Sequence, residues 1–487
     1  MQKTRRMMAC LLFFAALTSS CAAQEQSLPK TAEPETTEAA VSENAETEVR
    51  LPEPVIPDAA YEGVSFPIVY TEPTIYQTGD EVSAEKETGD PLNDAVFRRN
   101  SMVEERFGIS IEAVPVSDVA SSLRKSVQAG DNAYALAAGK ANLNISLVNN
   151  QLLLPVSDLP YVDINQPWWN QELISSTEIL GKTYSLFGDI GFIWKDATLA
   201  LVFNKRLYGE YDLEEPFSLV RDGKWTVDVL EAHCKNITLD LNGDSVLDHH
   251  DQWGLLSSST AGLGFVSSFN IRTVSRTQDG LAYQLESERN INAISRIRTL
   301  MTDHSIQLRA EDIKSADIWT DIINVFREGR ALYRISLICD VVSLRDMEDD
   351  FGILPLPKLD EGQEQYANTF LVIDNGTAFT VPASVQDTDM VSAILEYMSY
   401  ASVDTVTNAY YNTLLQGKVS RDDESSEMLD IIFSNQFLDI GLMNNIAGMS
   451  DSLKKMINSD TDITASTAAS IREKTEKNIA KIVEAYR

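Results

Sequence analysis

From Asn93 to Phe107 the apolar residues Ala95, Val96, Met102, Val103 and Phe107 fall on one helical face, and Gly108 stands where such a helix stops. Ile109, Ile111 and Ala113 then alternate with Ser110 and Glu112, the period of a half-buried strand. Leu199 to Phe203 is a short continuous apolar run closed by Asn204 and Lys205, which predicts a strand buried on both faces. Phe351 to Leu356 and Thr377 to Val381 predict two more strands, each followed by proline, and the second leads into a helix from Asp387 to about Tyr400. Near the end, Ile471, Ile479, Ile482, Val483 and Tyr486 repeat at helical spacing on an otherwise charged segment. The mixture predicts an α/β fold with a helical C-terminal portion and no internal repeat.

A different pattern opens the chain. Lys3, Arg5 and Arg6 precede an apolar run from Met7 to Leu17 that is too short for a membrane span and suits a signal-peptide core. Ser19, Ser20 and Cys21 resemble a bacterial lipoprotein cleavage site, although Thr18 stands where leucine is usual and Leu17 lies one residue early. The resemblance implies a signal peptide over residues 1–20 and acylation of Cys21; cleavage by the ordinary signal peptidase and a retained anchor are the alternatives. Residues 22–60 contain no aromatic side chain and carry nine acidic groups against Lys30 and Arg50. Such a segment cannot bury enough apolar surface to offset its ordering entropy, so residues 21–60 are expected to form a disordered, lipid-anchored tether.

From Tyr61 onward the chain is longer than a typical single domain, which predicts two lobes. No second apolar run approaches the roughly 18 residues of a transmembrane helix. The formal net charge of −33 repels polyanions and argues against nucleic acid as a partner. Beyond Cys10 and Cys21 only Cys234 and Cys339 occur, too few for a disulfide framework. They read as small buried hydrophobes, with pairing in an oxidising compartment the alternative.

Four groups of residues carry a wider resemblance. They are Pro167-Trp168-Trp169-Asn170 with Gly181-Lys182-Thr183-Tyr184 and Gly188-Asp189; Phe203-Asn204-Lys205 with Pro216, Gly223 and Lys224-Trp225-Thr226; Phe326 to Leu332 with Asp350 to Lys358; and Gly417-Lys418, Ser420-Arg421-Asp422 and Glu427 to Asp430. In this order and spacing the chain resembles the extracellular solute-binding lipoproteins of carbohydrate-type ABC transporters, in their large clostridial form. The resemblance implies a two-lobed periplasmic-binding-protein-like fold of type II. It places the first lobe at residues 61–195, the crossover and second lobe at 196–366, a return to the first lobe at 367–400, and C-terminal helices at 401–487. It further implies a monomer that closes by hinge motion on a carbohydrate, an oligosaccharide by expectation, and delivers it to the transmembrane permease subunits from the extracytoplasmic face of the membrane.

Carbohydrate needs flat apolar surfaces for its C–H faces and polar groups for its hydroxyls. Two or three of the six tryptophans are expected at the cleft. Trp194 and Asp196, just before the crossover, are the first choice, followed by Trp168, Trp169 and Trp319, with Asp90 and Asn93 as polar contacts unless they cap a helix. Packed core is the competing role for each tryptophan.

Asp240, Asn242, Asp244, Asp248 and Asp251 occupy positions 1, 3, 5, 9 and 12 of a twelve-residue loop, with Val246 at the carbonyl-donating position 7 and Leu247 at the apolar position 8. The loop resembles an EF-hand or dockerin-type calcium loop, with Ser245 in place of the turn glycine and Asp251 in place of the bidentate glutamate. A structural Ca²⁺ of weak affinity is expected there, and a solvated Asp/Asn turn is the alternative. Enzymatic readings find little: His233, His249, His250 and His304 form no HExxH, and neither GxSxG nor a phosphate-binding glycine loop is present. A non-enzymatic receptor with no catalytic cofactor is therefore expected. Its rivals are a peptide receptor of the same fold, a lipid-anchored glycoside hydrolase with a carboxylate pair hidden among the 73 acidic residues, and a surface adhesin.

Overall fold

Asp90 starts the first long helix by accepting the N–H groups of Leu92 and Asn93, while Pro91 at the first helical position has no N–H to satisfy. The helix runs Pro91–Phe107 and ends where Gly108, at φ +67°, donates its N–H to the carbonyl of Glu104. Its start lies two residues before Asn93, because cap chemistry rather than apolar spacing sets it. The computed structural model describes residues 51–73, 77–370, 376–415 and 423–487. The signal segment, Cys21, most of the tether and the motif from Gly417 to Asp422 lie outside the described residues.

The strands, in chain order, begin with β1 (Ser65–Thr71), β2 (Ser110–Val116), β3 (Leu136–Lys140) and β4 (Leu153–Leu154). There follow β5 (Leu199–Asn204), β6 (Trp253–Ser257), β7 (Val274–Thr277) and β8 (Gly280–Tyr283). The series ends with β9 (Gln307–Arg309), β10 (Ala331–Leu337), β11 (Phe351–Leu354) and β12 (Thr377–Pro382). Two five-stranded sheets result, in the orders β2-β1-β3-β12-β4 and β11-β5-β10-β6-β9, beside the hairpin β7-β8. The architecture is a mixed α/β, two-lobed, periplasmic-binding-protein-like fold.

In the first sheet β1 runs parallel to β2 and β3, with Ser65 opposite Ser110 and Ile68 opposite Leu136. The late strand β12 inserts antiparallel to β3, with Thr377 opposite Lys140. In the second sheet β10 is parallel to β6 and antiparallel to β5, with Tyr333 opposite Phe203. Every residue of β5 is buried, as its unbroken apolar run requires of a strand covered on both faces. Its odd and even positions feed different cores. Ala200 and Val202 join a cluster with Phe66, Val96, Trp168 and Leu395 that continues into the first lobe, whereas Leu201 and Phe203 pack with Trp225, Phe265 and Leu300.

The C-terminal helix Thr464–Ala485 lays Ile479, Ile482 and Val483 against a third cluster with Val69, Leu123 and Ala137 of the first lobe and Val274 of the hairpin. Asp439, buried between these parts, accepts the N–H groups of Thr273 and Leu442, both at 2.8 Å. No helix among the described residues is long and apolar enough to cross a membrane.

Gly188 is fixed by contact. A Cβ there would lie 2.2 Å from the carbonyl oxygen of Trp168, which is backbone and cannot swing away. Gly188→Ala should therefore destabilise the protein by about 2 kcal/mol or more, read as a lower midpoint in urea unfolding. An unchanged midpoint would refute the packing described.

Candidate functional site

The parallel strands of the two sheets direct their carboxyl ends to the same place. Lys140 at the end of β3 pairs with Thr377, and the next N–H, of Ala141, donates to Gly376, so this edge sits where the chain returns to the first sheet. Leu337 at the end of β10 pairs with Leu199, and the N–H of Ile338 donates to Thr198, so the second edge sits where the chain leaves. The N–H of Leu199 donates to Thr369 at 3.0 Å and ties the outgoing and returning segments together. Open α/β sheets bind ligands outside the carboxyl ends of their strands. By that rule the candidate site is a crevice at the junction of these two edges.

Its floor is a buried clasp. Asp196, 1% exposed, ends the short helix Ile193–Asp196 and accepts the N–H of Thr78 at 2.8 Å, the Thr78 hydroxyl at 3.0 Å and the Tyr410 hydroxyl at 2.8 Å. Glu81 accepts the N–H groups of Phe192 and Ile193 at 2.8 and 2.9 Å from the other end of that helix. Arg99, also buried, holds the carbonyls of Glu81 and Ile190 at 2.8 and 2.9 Å. Burial pushes the Asp196 carboxyl up to about 7 although Thr78 and Tyr410 hydrogen-bond its charged form. Burial likewise pushes Glu81 up to about 7 against the pull of its two backbone donors.

The wall from the second sheet is polar. Arg334 of β10 pairs with Asp340 at 2.7 Å and donates to the Ser336 hydroxyl at 2.8 Å. Beyond β6, the N–H and hydroxyl of Ser259 donate to Glu311 at 3.1 and 2.6 Å, and Arg309, the last residue of β9, pairs with Asp312 at 2.8 Å. Trp319 follows at the start of the helix Ile318–Arg327, which Asp317 caps. Helical side chains lean toward the N-terminus, here toward the carboxyl edge of the sheet. Trp319 is 53% exposed, while Trp168, Trp169, Trp194, Trp225 and Trp253 are all buried.

The expected residues thus separate. Trp168, Trp169 and Trp194 come together around a pocket of about 310 Å³, with Asp189, Lys195 and Tyr411 also on its wall. Their indole N–H groups are already used: Trp168 and Trp169 donate to the two oxygens of Glu396 at 3.1 and 2.9 Å, and Trp194 donates to the carbonyl of Gly188. Burial pushes Glu396 up to about 7 despite the two indole donors. Asp196 lies in the clasp, Asp90 caps its helix, and the Asn93 amide donates to the carbonyl of Lys86. Of the tryptophans in this set, Trp319 alone stands exposed. Sequence reading missed Arg334, Asp340, Ser259 and Glu311; the available signal was an arginine interrupting the apolar run of β10 and polar residues following β6, β9 and β10.

The loop from Asp240 to Asp251 turns on its own backbone. Asp240 accepts the N–H groups of Gly243 and Ser245, Asn242 that of Asp244, Asp244 that of Val246, and Asp248 that of His250. Ser245 takes φ +67°, the left-handed conformation for which calcium loops use glycine. Asp251 is fully buried and divides its oxygens between the N–H groups of Leu241 and Asp248. Among the described residues, the His, Cys, Asp and Glu side chains that gather closely enough to share an ion are Asp248, His249 and His250 rather than the alternating aspartates. The Val246 side chain is 58% exposed.

No protein-family model matches this chain, and no curated protein matches it. Solved structures do. The maltose/maltodextrin-binding domain of Bdellovibrio bacteriovorus bound to maltotriose matches at TM-score 0.53 and 16% identity, covering 86% of this chain and 100% of its own. A cyclic α-maltosyl-1,6-maltose-binding protein from Arthrobacter globiformis matches at TM-score 0.56 and 14% identity, covering 86% and 99%. An ABC substrate-binding protein of Listeria monocytogenes in complex with cycloalternan matches at TM-score 0.54 and 12% identity, covering 86% and 100%. At these identities the likeness establishes a shared fold.

The clasp makes stability depend on pH with an unusual sign. Glu81, Asp196 and Glu396 titrate near 7 in the folded protein and near 4 when unfolded, so between those values the folded state binds more protons. The stability they confer is present below about pH 4 and lost as pH rises through about 7. The melting temperature should therefore be higher at pH 5.5 than at pH 8, and Asp196→Asn should flatten the slope. A melting temperature that is level or rising over this range in the unmodified protein would contradict the assignment.

Proposed function

We propose that this chain is the carbohydrate-binding receptor of an ABC importer, anchored through acylated Cys21 on the extracytoplasmic face of the membrane. In this reading the two lobes close on an oligosaccharide and present it, unaltered, to the permease subunits. The observation that carries the proposal is the placement of Trp319. It is exposed on the helix that follows β9 and would offer a flat apolar face, while Arg334, Asp340, Ser259 and Glu311 of the same sheet and its loops would offer hydrogen-bonding side chains suited to hydroxyls. Solved neighbours of the same fold hold maltotriose and cycloalternan, which supports the carbohydrate reading by analogy of fold.

The crevice suits an uncharged ligand because Arg334 is paired with Asp340 and Arg309 with Asp312, while Glu311 accepts from the N–H and hydroxyl of Ser259. The hydrolase reading gains nothing from the carboxyls of raised pKa. Asp196 and Glu396 spend their oxygens on a backbone N–H, two hydroxyls and two indoles, and Glu81 is buried against the N–H groups of Phe192 and Ile193 with its other oxygen unpartnered.

Isothermal titration against maltodextrins, other oligosaccharides and peptides should show saturable binding to one glycan series, with the glycan recovered intact. Trp319→Ala should weaken that binding about 10- to 100-fold, or roughly 1.4 to 2.8 kcal/mol, while leaving the ligand-free melting temperature unchanged because the side chain is exposed. Binding to peptides alone would transfer the proposal to the peptide receptor, consumption of the glycan to the hydrolase, and unaltered glycan affinity in the variant would remove Trp319 from the site.

A further inference from the structure

The turn that closes the Asp240–Asp251 loop carries donors of a different chemistry from the aspartates before it. Asp248, His249 and His250 each offer a ligand atom, and these atoms all lie within 4.8 Å of one another. Donors around one zinc ion, each about 2.0 to 2.2 Å from it, stand about 3.4 Å apart in a tetrahedron, so small side-chain rotations would close the set.

Neighbouring side chains on an extended chain point to opposite sides. Here the N–H of Asp251 donates to the carbonyl of Asp248 at 3.2 Å, and the N–H of His250 donates to the Asp248 carboxylate at 2.8 Å. The resulting turn sets the two imidazole rings 4.1 Å apart, tilted by 38°. It is braced from behind. The Trp253 indole N–H reaches the carbonyl of Asp248 at 2.7 Å, and Arg330 donates to the carbonyls of His249 and Asp251 at 2.6 and 3.2 Å. Among the described residues no hydrogen bond occupies an imidazole nitrogen of either histidine, and no ion pair balances Asp248. Arg330, the bracing cation, is itself paired with Glu328 at 2.6 Å.

From this geometry we infer that Asp248, His249 and His250 form a surface site for a divalent transition-metal ion of the zinc class. Two imidazole nitrogens and a carboxylate oxygen suit such an ion, whereas calcium takes oxygen donors. The histidines have no part in the calcium-loop expectation, so the two readings are separable. An ion here would lock the turn that joins Trp253, the first residue of β6, to Arg330, just before β10. The site stands whether or not the crevice binds carbohydrate.

Zinc titrated calorimetrically into the intact, tag-free, chelator-treated protein, with about 1 mM Ca²⁺ present to occupy any calcium loop, tests this. One ion per chain is expected, with a dissociation constant at or below about 50 µM, weakened at least about 10-fold by His249→Ala and by His250→Ala and unaltered by His304→Ala. His250 is exposed, so its variant decides the matter if His249→Ala does not fold. No saturable zinc binding, binding indifferent to His250→Ala, or binding seen only when calcium is left out would each overturn the inference, the last by returning the ion to the aspartates.

Discussion

The hydrogen bonds that converge on the buried carboxyl of Asp196 hold the rest of the structure in register. Thr78 belongs to the segment after β1, Asp196 to the segment that leaves the first lobe, and Tyr410 to the helix after the chain has returned. Three stretches far apart in sequence are therefore fixed at one point, where the carboxyl edges of both sheets also meet. A carboxyl group can do this because it accepts from several directions at once. The cost is desolvation, which keeps Asp196 and Glu81 protonated to about pH 7. A leucine in either place would avoid that cost and lose the directional ties.

The local elements were legible because their causes are local. Asp90, Pro91 and Gly108 cap a helix whatever surrounds it, and the run from Leu199 to Phe203 can be buried on both faces only as an inner strand. The same holds for β12 and the helix Thr388–Ser402, each marked by its own apolar pattern. The site was less legible because its causes are distant. Trp168 and Trp169 are drawn inward by Glu396, more than 220 positions away, and no periodicity near Pro167 records that partner. Trp319 looks the same as the buried tryptophans in composition, and only its place at the start of the helix after β9 leaves it exposed. The motif from Phe326 to Leu332 marks where β10 begins, but Arg334 and Asp340 lie beyond it and owe their meeting to the turn after Leu337.

The loop from Asp240 to Asp251 shows how one spacing can serve two chemistries. Alternating Asp and Asn side chains accept the N–H two or three residues on, which folds the chain into successive tight turns. The same turns are what point oxygens inward in a calcium loop. Asp251 at the twelfth position gives one lone pair of each oxygen to the N–H groups of Leu241 and Asp248 under full burial. That carboxylate closes the loop against Trp253, whose indole N–H reaches the carbonyl of Asp248 at 2.7 Å.

Pairing among the crevice side chains also bears on how a neutral ligand could be held. Arg334 with Asp340, and Ser259 with Glu311, are oriented before any ligand arrives, so little side-chain entropy is left to lose on binding. Each pair still has unused hydrogen-bonding capacity, since a carboxylate has about four lone-pair sites and a guanidinium five N–H donors. A hydroxyl can join such a pair without breaking it, but an ionic ligand would have to compete for one partner and leave the other uncompensated. With a chain charge of −33, that competition is least favourable for an anion. In the proposed receptor the polar side chains would select for neutrality and geometry, and the apolar face of Trp319 would supply most of the net affinity, because burying it costs no charged group its water.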